Sequence, residues 1–136
     1  MATIDDELLQ EAQRLITART DGRYHTTAAA ARAGDGSIVT GVNVFHFTGG
    51  PCVELVVIGT AAAQGAGALT QIVAVADEGR GILAPCGRCR QVLVDLFPAI
   101  QVVIWTGSEA RAVPIADLLP WPNAWNPDVG TVPFHE

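Results

Sequence analysis

The sequence is short of positive charge. Eight Lys and Arg stand against fourteen Asp and Glu, a net charge of −6 over 136 residues. Phosphate recognition rests on clustered Lys and Arg, so this balance excludes a dedicated nucleic-acid surface. Long apolar runs are missing as well. Although 49% of the residues are hydrophobic, no uninterrupted run approaches the ~18 residues that suggest a membrane-spanning helix. The opening MATIDDELLQ is acidic, which is wrong for a secretory signal. Cysteine is scarce: there are three, and three cannot all pair with one another. Reduced thiols and a cytoplasmic location are the expectation. The chain has no internal repeat or linker, and a sequence of this length is expected to form one domain over residues 1–136.

What is present is concentrated in two short stretches. Cys52 lies in PCVEL (51–55), and Cys86 and Cys89 lie in PCGRC (85–89). The order Cys-x-Glu, a long gap, then Pro-Cys-x-x-Cys has the ligand spacing of a three-cysteine zinc centre with a proton-carrying glutamate, Glu54, which is itself not a ligand. Three protein ligands and one open position are what a catalytic zinc site requires. A Cys-x-x-Cys pair alone is less specific. It also fits a redox pair, or half of a structural zinc site in which His25 or His46 supplies a fourth ligand.

The patterning around these stretches predicts mixed secondary structure. Ile4, Leu8, Leu9, Ala12, Leu15 and Ile16 recur at helical spacing, with Thr3 as the expected cap and Asp5 and Asp6 at the favourable end of the dipole. Residues 26–32 and 37–44 read as a strand pair around Gly34-Asp35-Gly36. A helix over 51–65, apolar nearly all round, belongs inside a core. Strands follow at 69–76, 100–105 and 111–114, a helix at 86–97, and a short helix at 115–119. Pro51 and Pro85 are expected in the first turns of the two cysteine-bearing helices. The tail from Pro120 carries four prolines, Trp121, Trp125 and Phe134, and no regular element is predicted there. The order α-β-β-α-β-α-β-β suggests an α/β chain in which helices layer a mixed sheet.

Both cysteine motifs then fall at helix N-termini, where the partial positive charge favours thiolate over thiol. Three thiolates on a dication leave a net negative charge, which would blunt the metal's acidity toward water. Arg80, Arg88 and Arg90 are near enough in sequence to offset it by donating hydrogen bonds to sulfur.

Across TGVNVFHFTGGPCVELVVIGTAAA (40–63) and GRGILAPCGRCRQVLVDLFP (79–98) the chain resembles the cytidine deaminase superfamily, and within it the blasticidin-S deaminases. The resemblance implies a three-layer α/β/α fold on a five-stranded mixed sheet and assembly as a homotetramer. It also implies one zinc ion per subunit on Cys52, Cys86 and Cys89, with Glu54 as the proton shuttle. Asn43, Val53 and Trp125 match positions that contact substrate. Cytidine deaminases carry Asn-x-Glu where this chain has Asn43-Val44-Phe45, and an aromatic residue at the third position is the blasticidin-S pattern. The activity implied is hydrolytic removal of the 4-amino group of a cytosine-bearing nucleoside analogue. The alternatives are the same chemistry on cytidine, deoxycytidine or another small amino-heterocycle, and a zinc-stapled binding module without catalysis.

Overall fold

The computed structural model describes residues 2–133. The chain runs α1 (Asp6–Ala18), β1 (Thr27–Ala33), β2 (Ile38–Val42), α2 (Val53–Gln64), β3 (Leu69–Ala76), β4 (Gly81–Ile82), α3 (Gly87–Leu96), β5 (Gln101–Trp105), β6 (Ala110–Pro114), α4 (Ile115–Leu118), β7 (Asn123–Asn126) and β8 (Gly130–Pro133). The main sheet has the order β2-β1-β3-β5-β6, with the two-residue β4 pairing on β3. Among the described residues only the β3–β5 pair is parallel, and its crossover contains α3. The expected mixed sheet of five long strands is therefore present, with β4 as a short addition.

Strand β1, TAAAARA, is alanine-rich and would favour a helix on local propensity alone. It lies instead between β2 and β3, and burial on both faces overrides propensity. Ala29, Ala31 and Ala33 join the core beneath α2 and α3, with Val57, Ala61, Leu93 and Ile72. Ala28 and Ala30 join the opposite core, beneath α1, with Leu8, Ala12, Leu15 and Val73. Small side chains at the centre let helices approach both faces. The result is the three-layer α/β/α arrangement.

Two local expectations are corrected. Thr3 does not cap α1. The N-cap is Asp5, without a side-chain cap bond, because its carboxylate accepts from Arg32 at 2.9 and 3.2 Å while the Thr3 carbonyl accepts from Gln71 at 3.1 Å. The tail is not irregular: β7 and β8 form a separate two-stranded hairpin, pairing Trp125 with Thr131. The prolines that obscured this flank β7 (Pro122 and Pro127) or end β8 (Pro133), where no interior ladder hydrogen bond is lost. Phe134, a tail aromatic of the sequence reading, lies outside the described residues. Among the described residues no helix is long and apolar enough to cross a membrane.

Candidate metal centre and its cavity

Cys52 and Cys86 are both helix N-caps, in extended backbone, with no side-chain cap hydrogen bond. Pro51 and Pro85 therefore stand one residue ahead of the caps rather than inside the first turns, and the capping position goes to sulfur. The approach to Cys52 is tight. A Cβ on Gly50 would lie 2.0 Å from the Val44 carbonyl oxygen, so only glycine allows the loop to fold back, with Val44 N–H donating to the Pro51 carbonyl at 3.2 Å. Cys89 sits in the first turn of α3 and is fully buried.

The three sulfurs lie within 4.8 Å of one another, and Cys52 Sγ is 3.6 Å from Cys86 Sγ. Tetrahedral coordination with metal–sulfur bonds of about 2.3 Å places sulfurs ~3.8 Å apart, so the set fits a metal ion with little movement. All three cysteines are free. The histidines that could have closed the coordination sphere are engaged elsewhere. His25 Nδ1 pairs with the Asn43 carbonyl at 2.7 Å, and His46 Nδ1 pairs with Thr48 Oγ1 at 2.6 Å. Among the described residues no His, Asp or Glu joins the sulfur group.

The electrostatics divide the three thiols. Burial tends to raise Cys86, but the backbone N–H groups of Cys89 and Arg88 and the neighbouring thiols outweigh it, and Cys86 lies below its ordinary value. Burial pushes the Cys89 thiol far up, and the Glu54 carboxylate and the other sulfurs add to the effect. A coordinating dication reverses that second preference by deprotonating the thiol outright.

Glu54 is only 6% exposed. Burial raises its carboxyl above the usual range, against the smaller opposing pull of its own backbone N–H and of the Cys89 thiol. It lines a cavity of about 330 Å³ with Thr27, Asn43, Cys52, Val53, Leu83, Ala84 and Cys86. The fold thus brings the three cysteines, Glu54, Asn43 and Val53 to one place. Thr27, Leu83 and Ala84 were missed by sequence reasoning. Leu83 and Ala84 precede PCGRC directly, and that adjacency was the available signal.

Asn43 is buried and largely spent on the backbone. Its Oδ1 accepts from Thr26 N–H at 2.7 Å and Thr27 N–H at 2.9 Å, and its Nδ2 donates to Thr26 Oγ1 at 2.9 Å. One amide hydrogen remains for another partner.

Of the three arginines, one reaches a sulfur, and Trp125 lies apart from the Glu54 cavity. Arg88 Nη2 reaches Cys52 Sγ at 3.4 Å. Arg80 instead pairs with Asp77, Nη2 to Oδ1 at 2.7 Å. Arg90 donates to the Pro85 carbonyl at 2.7 Å and the Leu118 carbonyl at 3.0 Å. On a helix, residues 88 and 90 point about 200° apart, so at most one of them can face the sulfurs. Trp125 does not line the Glu54 cavity; it lies on the outer face of α3 beside Gln91, Val92 and Asp95.

No family model matches the chain. Individual relatives do. Blasticidin-S deaminase of Bacillus cereus is 30% identical over 125 residues, covering 85% of this chain and 89% of that one. Cytidine deaminase of Mycobacterium tuberculosis is 42% identical over 69 residues, about half of each chain at 49% and 51%. A solved structure of cytidine deaminase from Mycobacterium tuberculosis superposes with a TM-score of 0.73 at 31% identity, covering 87% of this chain and 96% of that one. Sequence similarity over most of the length, the same fold and a three-cysteine cluster at two helix starts lead to one conclusion: this chain belongs to the cytidine deaminase superfamily.

Proposed function

We propose that the chain is a zinc-dependent aminohydrolase that replaces the 4-amino group of a cytosine-bearing nucleoside, blasticidin S or a relative, with a keto oxygen and releases ammonia. One observation carries the reading. A buried carboxylate, Glu54, lies in the first turn of the helix that Cys52 caps, inside a cavity that also holds Cys52 and Cys86.

A zinc ion held by Cys52, Cys86 and Cys89 would supply the Lewis acid that makes water nucleophilic at neutral pH. Glu54 takes a proton from the attacking water and hands it to the ring nitrogen next to the amino-bearing carbon. It then takes the water's second proton from the hydroxyl now on the ring carbon and delivers it to the departing amine, so that the C–N bond breaks as the keto C=O forms. A carboxyl raised by burial suits both halves of this task, because it neither holds nor gives up its proton too readily. The site's apolar wall, with Val53, Leu83 and Ala84, matches a flat heterocycle. Asn43 lines the same cavity, and in this reading its free amide hydrogen donates to a polar group on the sugar side. Arg88 withdraws negative charge from Cys52 through its hydrogen bond.

Cytidine or deoxycytidine is the second reading, favoured by the solved neighbours. Phe45 argues against it. The position where cytidine deaminases carry a ribose-gripping glutamate is here an aromatic residue, 65% exposed and lining a different cavity. That cavity is aromatic, with Tyr24, Phe45, His46 and Phe47 on its wall, and exposed apolar surface of this kind marks an interaction site. It supports assembly as a homotetramer, which light scattering on the purified protein would test; a monomeric mass refutes it. Free thiols suit a reducing, cytoplasmic compartment.

The decisive experiment is a panel of cytosine nucleosides and nucleoside analogues followed by ultraviolet absorbance, with Glu54→Gln as control. The expected result is turnover by the parent protein and a zinc-loaded but inactive variant. Full turnover by Glu54→Gln would sink the reading.

A further inference from the structure

The hairpin β7–β8 presents Asn123, Trp125 and Thr131 on one face, since Trp125 and Thr131 are direct cross-strand partners. That face meets Gln91, Val92 and Asp95, one stripe of α3, around a cavity of about 380 Å³. It shares no lining residue with the cavity at the cysteines. Two contacts fix the hairpin there. Gln91 Nε2 donates to the Asn123 carbonyl at 2.7 Å, and Trp125 N–H donates to Asp95 Oδ1 at 3.0 Å. Gln91 Nε2 also donates to Asp95 Oδ2 at 3.0 Å.

The charge on Asp95 is not explained by these bonds. Both of its donors are neutral, and none of the arginine ion pairs among the described residues includes it. The carboxylate also sits at the wrong end of its helix. It lies in the last turn of α3, which contains no basic residue, and a helix C-terminus is already negative. A negative carboxylate and a negative helix end therefore act on the same small cavity, and the Trp125 indole, about half exposed, lines it. The face of an indole attracts cations through its quadrupole.

We propose that this cavity is a binding site for a compact organic cation, a guanidinium or alkylammonium group, held between the Asp95 carboxylate and the Trp125 ring. The inference stands on the hairpin and α3 alone and does not depend on the deaminase reading.

The test is a titration of the full-length, zinc-loaded, ¹⁵N-labelled protein with methylguanidinium chloride at constant ionic strength, read by nuclear magnetic resonance at the tryptophan indole N–H groups. The expected result is a saturating shift of the Trp125 signal, while Trp105 and Trp121 stay still. Urea, a neutral isostere, gives no saturation. Asp95→Asn keeps an oxygen to accept from Trp125 N–H and weakens binding about tenfold or more, as loss of the charged partner predicts. If that variant releases the hairpin, Trp125→Leu decides the matter. It leaves the backbone bond to Asp95 in place and removes the aromatic face, so backbone shifts at Gln91 and Asp95 should weaken several-fold. A non-saturating drift, a response equal to that given by urea, or undiminished affinity in both variants would overturn the proposal.

Discussion

Helices α2 and α3 begin alike and continue differently. Each is capped by a cysteine whose side chain makes no capping hydrogen bond, and each aims its positive end at the same point. Beyond the first turn they diverge. Helix α2 is apolar almost throughout, and Val53, Glu54, Val57 and Ala61 are its buried residues. Helix α3 buries Cys89, Leu93 and Val94 and gives its other faces to Arg88, Arg90, Gln91 and Asp95. The difference assigns the labour. The apolar helix carries on its buried face the carboxyl that is kept from bulk water. The half-exposed helix holds the charges that act on a sulfur, on backbone carbonyls and on the hairpin.

Substitutions can break that division or sharpen it. The largest effect is expected at Glu54. Glu54→Gln should lower kcat at least about a hundredfold with metal content unchanged, measured by steady-state kinetics beside atomic absorption. No residue on α3 outside the ligands should match that loss with the metal retained. Next comes the packing that holds α3 to the sheet. Leu93 is fully buried, and Leu93→Ala should cost about 2–5 kcal/mol in urea unfolding. A smaller effect is expected at Arg88. Arg88→Ala should weaken zinc affinity about tenfold in a chelator competition, while Arg80→Ala leaves it unchanged, because only Arg88 meets a sulfur. Equal losses in the two variants would show that proximity to the sulfurs is not what matters. The smallest effect is at the far ends. Helix α2 closes on Gly65 in the left-handed region, with its N–H bonded to the Ala61 and Ala62 carbonyls. Helix α3 closes on Phe97 at φ -135° and ψ 69°, outside the left-handed region. Gly65→Ala should therefore cost about 1 kcal/mol, whereas Phe97→Gly gains nothing from a left-handed cap, and thermal melts of the two variants would show it.

Much of this was legible in the residues. Cysteines three apart at a helix start must share a face, and Cys-x-Glu ties the carboxyl to its sulfur by two residues of backbone. Local geometry of that kind survives any tertiary arrangement. The strand LTQIVAVA was readable to the residue because burial on both faces leaves a continuous apolar run over residues 72–76. The arginines were not readable to the same degree. Arg88 lies within PCGRC, Arg90 directly after it and Arg80 five residues before it, but long flexible side chains choose among partners only once the fold supplies them. Asp77 takes one, Cys52 the second, and the carbonyls of Pro85 and Leu118 the third. The position of Trp125 was hidden for a related reason. A tail rich in proline carries no periodicity, so its docking on α3 through Gln91 and Asp95 left no trace in the pattern.

The amino-acid order alone determined which thiols and which carboxyl stand at the two helix starts, because each depends on spacing over a few residues. Only the folded chain decided which arginine touches sulfur, that His25 and His46 stay away from the three sulfurs, and that the tail lies on α3. Those outcomes turn on distances between segments far apart in sequence, and packing of the sheet and its two helical layers is what sets such distances.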